Sequence, residues 1–200
     1  AAGFRRRSST VRKIPGMQDL VAGFLPEGRP GFEETCYLLL SGELPNRGEL
    51  DDFRARLAAY RALPDDFVHD SLLKLSSRDM MNAMAQSILA LYVFDDRADD
   101  VSIPNVLRQC LKLVATFPLL AAYSYQAYVY YYGKGSLVIH APRPELSTAE
   151  NFLHMLRNDS RYTPLEAQLL DLALVLHAEH GGGNNSSFTT HVVSSSLTDT

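Results

Sequence analysis

The sequence predicts an all-α protein, and two observations carry that prediction. Ser, Thr or Asn is followed three residues later by Glu at three places, which is the capping-box signal of a helix start: Asn46 with Glu49, Ser147 with Glu150, and Thr163 with Glu166. Apolar residues recur at helical spacing after these signals, whereas the alternation that marks a strand is nearly absent. About eight helices are expected from this pattern.

Proline and glycine divide the first part of the chain. They leave room for one short helix within residues 11–30, at residues 17–23. The helical pattern begins again at Phe32, and Gly42 is expected as the residue that ends this helix in a left-handed turn.

Three further helices are expected before residue 95. The first begins at Asn46, stops near Pro64 and has an apolar face of Leu50, Phe53, Leu57 and Tyr60. The second carries Val68, Leu72 and Leu75 in line. Ser76 and Asp79 are read as the start signal of the third, whose stripe is Met80, Met84, Ile88 and Leu91.

The longest helix is expected from Ser102 and Pro104 to Tyr132. Pro118 should kink this helix rather than end it. Its first half has an apolar face of Val106, Cys110, Leu113 and Phe117. Its second half carries six tyrosines on several sides, which is typical of a helix that is buried or used in association.

The last two patterned helices follow Ser147 and Thr163. Thr163 is followed by Pro164 and, at the third helical position, by Glu166, which is a strong start signal. The second of these helices has one leucine face, formed by Leu165, Leu169, Leu172 and Leu176. We expect an irregular segment over residues 1–23 and one helical domain over residues 24–200.

Composition narrows the class of protein. With 46% hydrophobic residues, a mean hydropathy of -0.10 and no apolar run of transmembrane length, a soluble protein is expected. A net charge of -4 provides no general attraction to nucleic acid or to anionic membranes. Cys36 and Cys110 lie within apolar patterns and are expected as thiols, which fits a reducing compartment. Residue 1 is not Met and Thr200 falls within a patterned segment, so both ends are expected to be cut.

One stretch concentrates groups that can do chemistry. Residues 176–191 contain half of the chain's six histidines. His177 and His180 precede three glycines, which are expected to stop the helix, and the four residues 184–187, from Asn184 to Ser187, offer caps for another helix. His180 can be a helix C-cap, because the end of a helix favours positive charge. It can equally donate a hydrogen bond to an anion that the glycines allow to approach the backbone. The spacing alone leaves both interpretations open.

Other chemistries find less support in the sequence. His177 and His180 could share one face of a helix as metal ligands. However, the metalloprotease motif is His-Glu-x-x-His, and no third ligand lies nearby in the sequence. No metal site is therefore predicted. The short motifs of nucleotide binding, serine hydrolysis and dithiol redox chemistry are absent from the 200 residues.

The residues from Leu174 through the histidines and glycines to Ser195 resemble the substrate-binding histidine motif of citrate synthases. The motif, with three glycines followed by two asparagines, resembles that of a bacterial, clostridial-type branch. Residues 32–45 and 144–157 resemble that family's early helix and the helix that precedes the motif. Several matching segments in the right order are a stronger signal than one short match. The resemblance spans residues 24–200 and suggests the N-terminal portion of such an enzyme.

The resemblance implies a fold, a reaction and a partner. The fold is all-α, with a large helical domain cut before most of the small acyl-CoA domain. The reaction condenses acetyl-CoA with oxaloacetate and water to give citrate and CoA, the entry to the tricarboxylic acid cycle, in the cytoplasm and without a cofactor. The partner is a second copy, and a homodimer through helices 77–94 and 103–132 is expected.

The resemblance also assigns residues. His180 matches the family's oxaloacetate-binding histidine, Asn184 matches an asparagine beside it, and His177 matches a supporting position. The family's catalytic His, His and Asp lie in later motifs that do not occur in residues 1–200. We therefore expect no catalytic residue in this chain, and no activity from the chain by itself.

Three alternatives remain open at this point. A 2-methylcitrate synthase would use propionyl-CoA on the same scaffold. A non-catalytic helical dimerisation module could descend from the family. A helical metal-binding protein would use His177 and His180.

Overall fold

The computed structural model of the protein describes residues 17–64, 66–74, 76–179, 181 and 183–196. All regular structure in these residues is helical, which confirms the all-α fold class. The α-helices are α1 (Met17–Phe24), α2 (Phe32–Ser41), α3 (Arg47–Tyr60), α4 (Met80–Leu91), α5 (Ile103–Tyr132), α6 (Thr148–Leu156), α7 (Pro164–His177) and α8 (Asn185–Ser194). A π-helical turn spans Val68–Leu72 and a 3-10 turn spans Tyr92–Phe94.

Helix α5 is the centre of the core and packs against α3, α4 and α6. Its first half joins α2 and α3 in one apolar cluster, formed by Cys36, Phe53, Leu57, Leu111 and Ala115. Its second half joins α4, α6 and the π-helical turn in another, formed by Phe67, Leu72, Leu91, Leu119, Leu120, Ala122, Tyr123 and Met155. α5 runs through Pro118 to Tyr132, as predicted.

The predicted helix starts and stops were mostly confirmed. Complete capping boxes begin α3, α6 and α7 at Asn46, Ser147 and Thr163. Gly42 ends α2 with φ +79°, a left-handed conformation that glycine adopts without a steric cost. α1 lies where the short helix at residues 17–23 was expected.

Two predictions between residues 65 and 80 were wrong. The pattern of Val68 and Leu72 forms a five-residue π-helical turn rather than an α-helix, and Leu75 lies outside the described residues. The helix expected over residues 77–94 begins only at Met80, because the Asp79 side chain caps it by accepting from the backbone N–H of Asn82 at 3.1 Å. Ser76 is therefore not part of the cap.

The buried face of α5 is not the one that the apolar spacing predicted. Phe117 of the predicted face is 41% exposed, whereas Asn105 and Gln109 are buried. The Asn105 side chain donates to the carbonyl oxygens of Arg97 and Asp100 at 2.8 and 2.7 Å, and thereby holds the acidic turn that precedes α5. Polar side chains are buried here because they satisfy the backbone of a turn.

The expectation that no segment reaches transmembrane length was also wrong. α5 has 30 residues and is long and apolar enough to cross a membrane by length and composition. However, it carries buried polar side chains and packs against three other helices, as the core helix of a folded domain does. We therefore treat α5 as a core helix.

Helix α7 turns its leucine face outward. Leu165, Leu169 and Leu176 are 63%, 57% and 50% exposed. The side that packs against the rest of the protein carries Ala167, Asp171 and Val175 instead. A row of leucines at helical spacing thus lies on the surface of this chain.

Candidate functional site

The histidine motif forms a hinge between α7 and α8, which we define as residues 178–184. The last hydrogen bond of α7 joins the backbone N–H of Ala178 to the carbonyl oxygen of Val175 at 3.2 Å. Gly181 has φ +79°, and its carbonyl oxygen accepts from the N–H of Asn184 at 3.1 Å. His180 and Gly182 lie outside the described residues.

Asn184 begins α8 as its N-cap, which confirms the predicted capping role. Its side-chain oxygen accepts from the backbone N–H of Ser186 at 2.9 Å, and its carbonyl oxygen accepts from Phe188 at 2.8 Å. The oxygen of the Asn184 amide is thus engaged within the protein. The amide NH2 group is the part of this side chain that can donate to a ligand.

His177 is held at the end of α7 by its own helix. Its ring Nδ1 lies 2.8 Å from the carbonyl oxygen of Ala173. A carbonyl oxygen can only accept, so a proton lies on Nδ1 of His177. This contact orients an exposed imidazole, which suits a supporting role.

The two described glycines of the hinge have open space around them. A Cβ atom placed on Gly181 or Gly183 would meet nothing within 4 Å. Among its described residues, α8 buries none, and Phe188 is 62% exposed. The Glu179 carboxylate accepts from the N–H of Gly181 and places a negative charge beside the turn. An anion at this hinge would therefore need donors strong enough to outweigh Glu179, and a protonated imidazole is such a donor.

Gly181 and Gly183 form a matched pair for a test of the hinge backbone. Because a non-glycine residue at φ +79° costs about 1–2 kcal/mol, we expect Gly181→Ala to destabilise the hinge by this amount. Gly183 has open space around it and no positive φ, so Gly183→Ala should change stability by less than about 0.5 kcal/mol. Chemical denaturation of both variants of the full-length protein measures the difference. Equal denaturation midpoints for the two variants would show that residue 181 does not require a left-handed conformation.

Sequence reasoning missed a buried polar cluster at the N-terminus of α2. The carboxylates of Glu33 and Asp171 and the guanidinium of Arg61 are all buried there. One signal was present: Gly31 precedes Phe32 and cannot cap a helix with a side chain, so the first amides of α2 need an acceptor from elsewhere.

The described residues hold no group of three or more His, Cys, Asp or Glu side chains that could bind a metal ion. His177 precedes the hinge and Asn184 is its last residue. The contacts described for both side chains are hydrogen bonds, which do not indicate metal ligation.

Comparison with known proteins gives a consistent result. A family model described as "Citrate synthase, C-terminal domain" matches residues 16–200. The chain is 37% identical over 169 residues to citrate synthase from Deinococcus radiodurans and 38% identical over 174 residues to that from Haloferax volcanii. These alignments cover 84% of the chain but only 42% and 43% of the two relatives, so the chain spans about two fifths of their length.

A solved structure agrees with these matches. The crystal structure of citrate synthase from Pyrobaculum aerophilum has a TM-score of 0.70 to this chain at 32% sequence identity. The comparison covers 84% of this chain and 42% of that one. The clostridial-type branch and the position of the chain within a longer protein stay predictions.

Proposed function

The chain belongs to the citrate synthase family, and from this premise we propose that the protein that carries it condenses acetyl-CoA with oxaloacetate and water to give citrate and CoA. One observation carries the proposal: the family match extends over residues 16–200, a range that includes the hinge. A match confined to the hinge would leave the simpler interpretation of a helix cap.

We propose that the hinge binds oxaloacetate through His180, with Asn184 as a second donor and His177 in a supporting role. Two features of the described residues support this. Gly181 and Gly183 have open space around them, and α8 begins at the hinge with its positive dipole end. An imidazole, an amide NH2 and a helix N-terminus are groups that recognise carboxylates.

We propose that the condensation also uses residues outside this chain. A carboxylate must take a proton beside the thioester carbonyl, and donors must stabilise the enolate oxygen and polarise the ketone. We propose that the family's Asp and two His, expected after residue 200, perform these steps. The protein should need no added cofactor, and we propose that it acts in the cytoplasm, which cell fractionation would test.

An assay of the full-length protein tests the proposed function. The protein is purified from a host that lacks its own citrate synthase, and CoA release is followed with a thiol reagent. Turnover with acetyl-CoA and oxaloacetate supports the proposal, and faster turnover with propionyl-CoA assigns 2-methylcitrate synthesis instead. The chain of residues 1–200 is the control and should release no CoA. Absence of turnover with either thioester would leave only a non-catalytic helical module.

We also propose a homodimer through α4 and α5. Apolar side chains are exposed on both helices: Met81 is 75%, Leu89 is 74% and Phe117 is 41% exposed. A cleft of about 330 Å³ lies between the two helices and is lined partly by Leu89 and Leu113. Light scattering after size-exclusion chromatography should give a mass of twice the chain mass. The Leu89→Glu variant should give a mass closer to that of the monomer. A folded wild-type monomer at micromolar concentration would contradict the dimer.

A further inference from the structure

The N-terminus of α2 has no cap of its own. Gly31 occupies the N-cap position and has no side chain that could accept from the first amides. A larger residue is excluded, because a Cβ atom on Gly31 would lie 2.4 Å from the ring of Phe24, which is only 2% exposed. The donors of this helix end must therefore be satisfied by another part of the chain.

Asp171 of α7 supplies both acceptors. Its Oδ2 atom accepts from the N–H of Gly31 at 2.7 Å, and its Oδ1 atom accepts from the N–H of Phe32 at 3.2 Å. The residue is 4% exposed. Because two oxygens of one rigid group bind two successive amides, the contact fixes both the position of α7 along its axis and its rotation.

The same helix end also holds α6 and α3. The Oε1 atom of Glu33 accepts from the N–H of Thr148, the first residue of α6, at 2.7 Å. Arg61 follows the end of α3 and donates to the carbonyl oxygen of Leu146 at 2.9 Å. Arg54 donates to the carbonyl oxygen of Pro30 at 3.2 Å. The N-terminus of α2 is thus a junction on which α7 is aligned with the core.

The charges at the junction depend on these contacts. The pKa of Asp171 lies above its ordinary value, chiefly because of burial and also because of Glu33, and the amides of Gly31 and Phe32 and the charge of Arg54 offset this only in part. Burial, Glu33 and Asp171 together raise the pKa of the Cys36 thiol to about 12. The amides of α2 therefore stabilise the ionised form of Asp171 in a site that otherwise disfavours it.

The other contacts of α7 are its packing against α6 and, at its start, the ion pair of Glu166 with Arg157. Within Pro164–His177 the other buried side chains are Ala167 and Val175, which are small and apolar. Apolar contacts of this kind resist sliding less than a two-point hydrogen bond does. His177 follows Asp171 by six residues, which is about 9 Å along a helix, and the hinge begins at the next residue.

We propose that Asp171 is a positioning residue for the oxaloacetate-binding hinge. By fixing α7 on the N-terminus of α2, Asp171 determines where α7 ends and how residues 178–184 are presented to the ligand. This inference rests on the proposed function for its ligand, but not for its effect on the hinge. The competing interpretation is that Asp171 only caps α2 and stabilises the fold.

The test is Asp171→Asn in the full-length protein. Asn has the same shape, but its NH2 group faces one of the two donors, so one contact is lost. We expect amide hydrogen exchange over residues 178–186 to become faster by at least about fivefold. We expect the calorimetric Kd for oxaloacetate to rise by at least about fivefold, with the acetyl-CoA KM within about twofold of wild type.

Thr163→Ala is the matched control, because Thr163 caps the other end of α7 and accepts from the N–H of Glu166 at 3.3 Å. Thr163→Ala should lower the Tm while leaving hinge exchange and oxaloacetate affinity near wild type. Asp171 is only a stabilising cap if the two variants lose the same Tm and also change hinge hydrogen exchange and oxaloacetate affinity by the same amount. Unchanged hinge exchange in Asp171→Asn overturns the proposal directly.

Two further outcomes are separated by the same design. If Asp171→Asn does not fold, Asp171→Ser replaces it in the test, because Ser keeps one acceptor oxygen in a smaller side chain. The same fivefold thresholds for hydrogen exchange and for the oxaloacetate Kd then apply. If the wild-type protein binds no oxaloacetate, the proposed function fails. Hinge exchange in the variants then still decides whether Asp171 positions the hinge.

Discussion

Replacing His180 by Ala in the full-length protein is expected to raise the oxaloacetate KM by roughly 10- to 100-fold. A hydrogen bond from a charged donor contributes about 1.5–3 kcal/mol, and each 1.4 kcal/mol is a factor of ten in affinity. The loss should be large because the ligand is a dianion and the hinge already carries the negative charge of Glu179. Steady-state kinetics at saturating acetyl-CoA measures the effect, and calorimetry with oxaloacetate alone separates binding from turnover.

His191→Ala is the matched control for this experiment. His191 lies in the same motif, but it is on α8 and exposed, beyond the hinge. This variant should keep the oxaloacetate KM within about twofold of wild type, as an exposed substitution away from a site does. An unchanged oxaloacetate affinity in His180→Ala would leave the hinge as a simple helix cap.

The second large effect is expected on the exposed leucine face of α7. Leu169 is 57% exposed here, yet it is part of a row of leucines at helical spacing. The relatives that the chain matches are about twice its length. We therefore expect this face to be covered in the full-length protein, and Leu169→Lys to cost about 3 kcal/mol or more by burying an unpaired charge.

Thermal unfolding of the full-length variants tests this expectation. Ala59→Lys on α3 is the control, because Ala59 is exposed on a face that also carries Asp52 and Arg56. The control should change stability by less than about 0.5 kcal/mol. If Leu169→Lys unfolds at the same temperature as Ala59→Lys, the leucine face is solvent-exposed in the full-length protein.

The candidate site was predicted only in part. The hinge between two helices and the cap at Asn184 follow from glycine and from a side chain that bonds its own backbone, so local sequence is sufficient. Asp171 could not be found in this way. Its partners, Gly31 and Phe32, lie about 140 residues away, and a single Asp among leucines resembles an ordinary solvated residue.

Several features were determined by the sequence alone, because each depends on residues within one helical turn. These are the all-α class, the three capping boxes and the left-handed glycine after α2. The face predicted for α3 is buried as expected, but only the tertiary structure decided which faces of α5 and α7 are buried. On α5 and α7 the buried sides carry Asn105, Gln109 and Asp171, because backbone donors and acceptors from distant turns and helix ends must be satisfied there. Apolar spacing contains no information about those partners, and for that reason it predicted α5 and α7 as helices but not their buried faces.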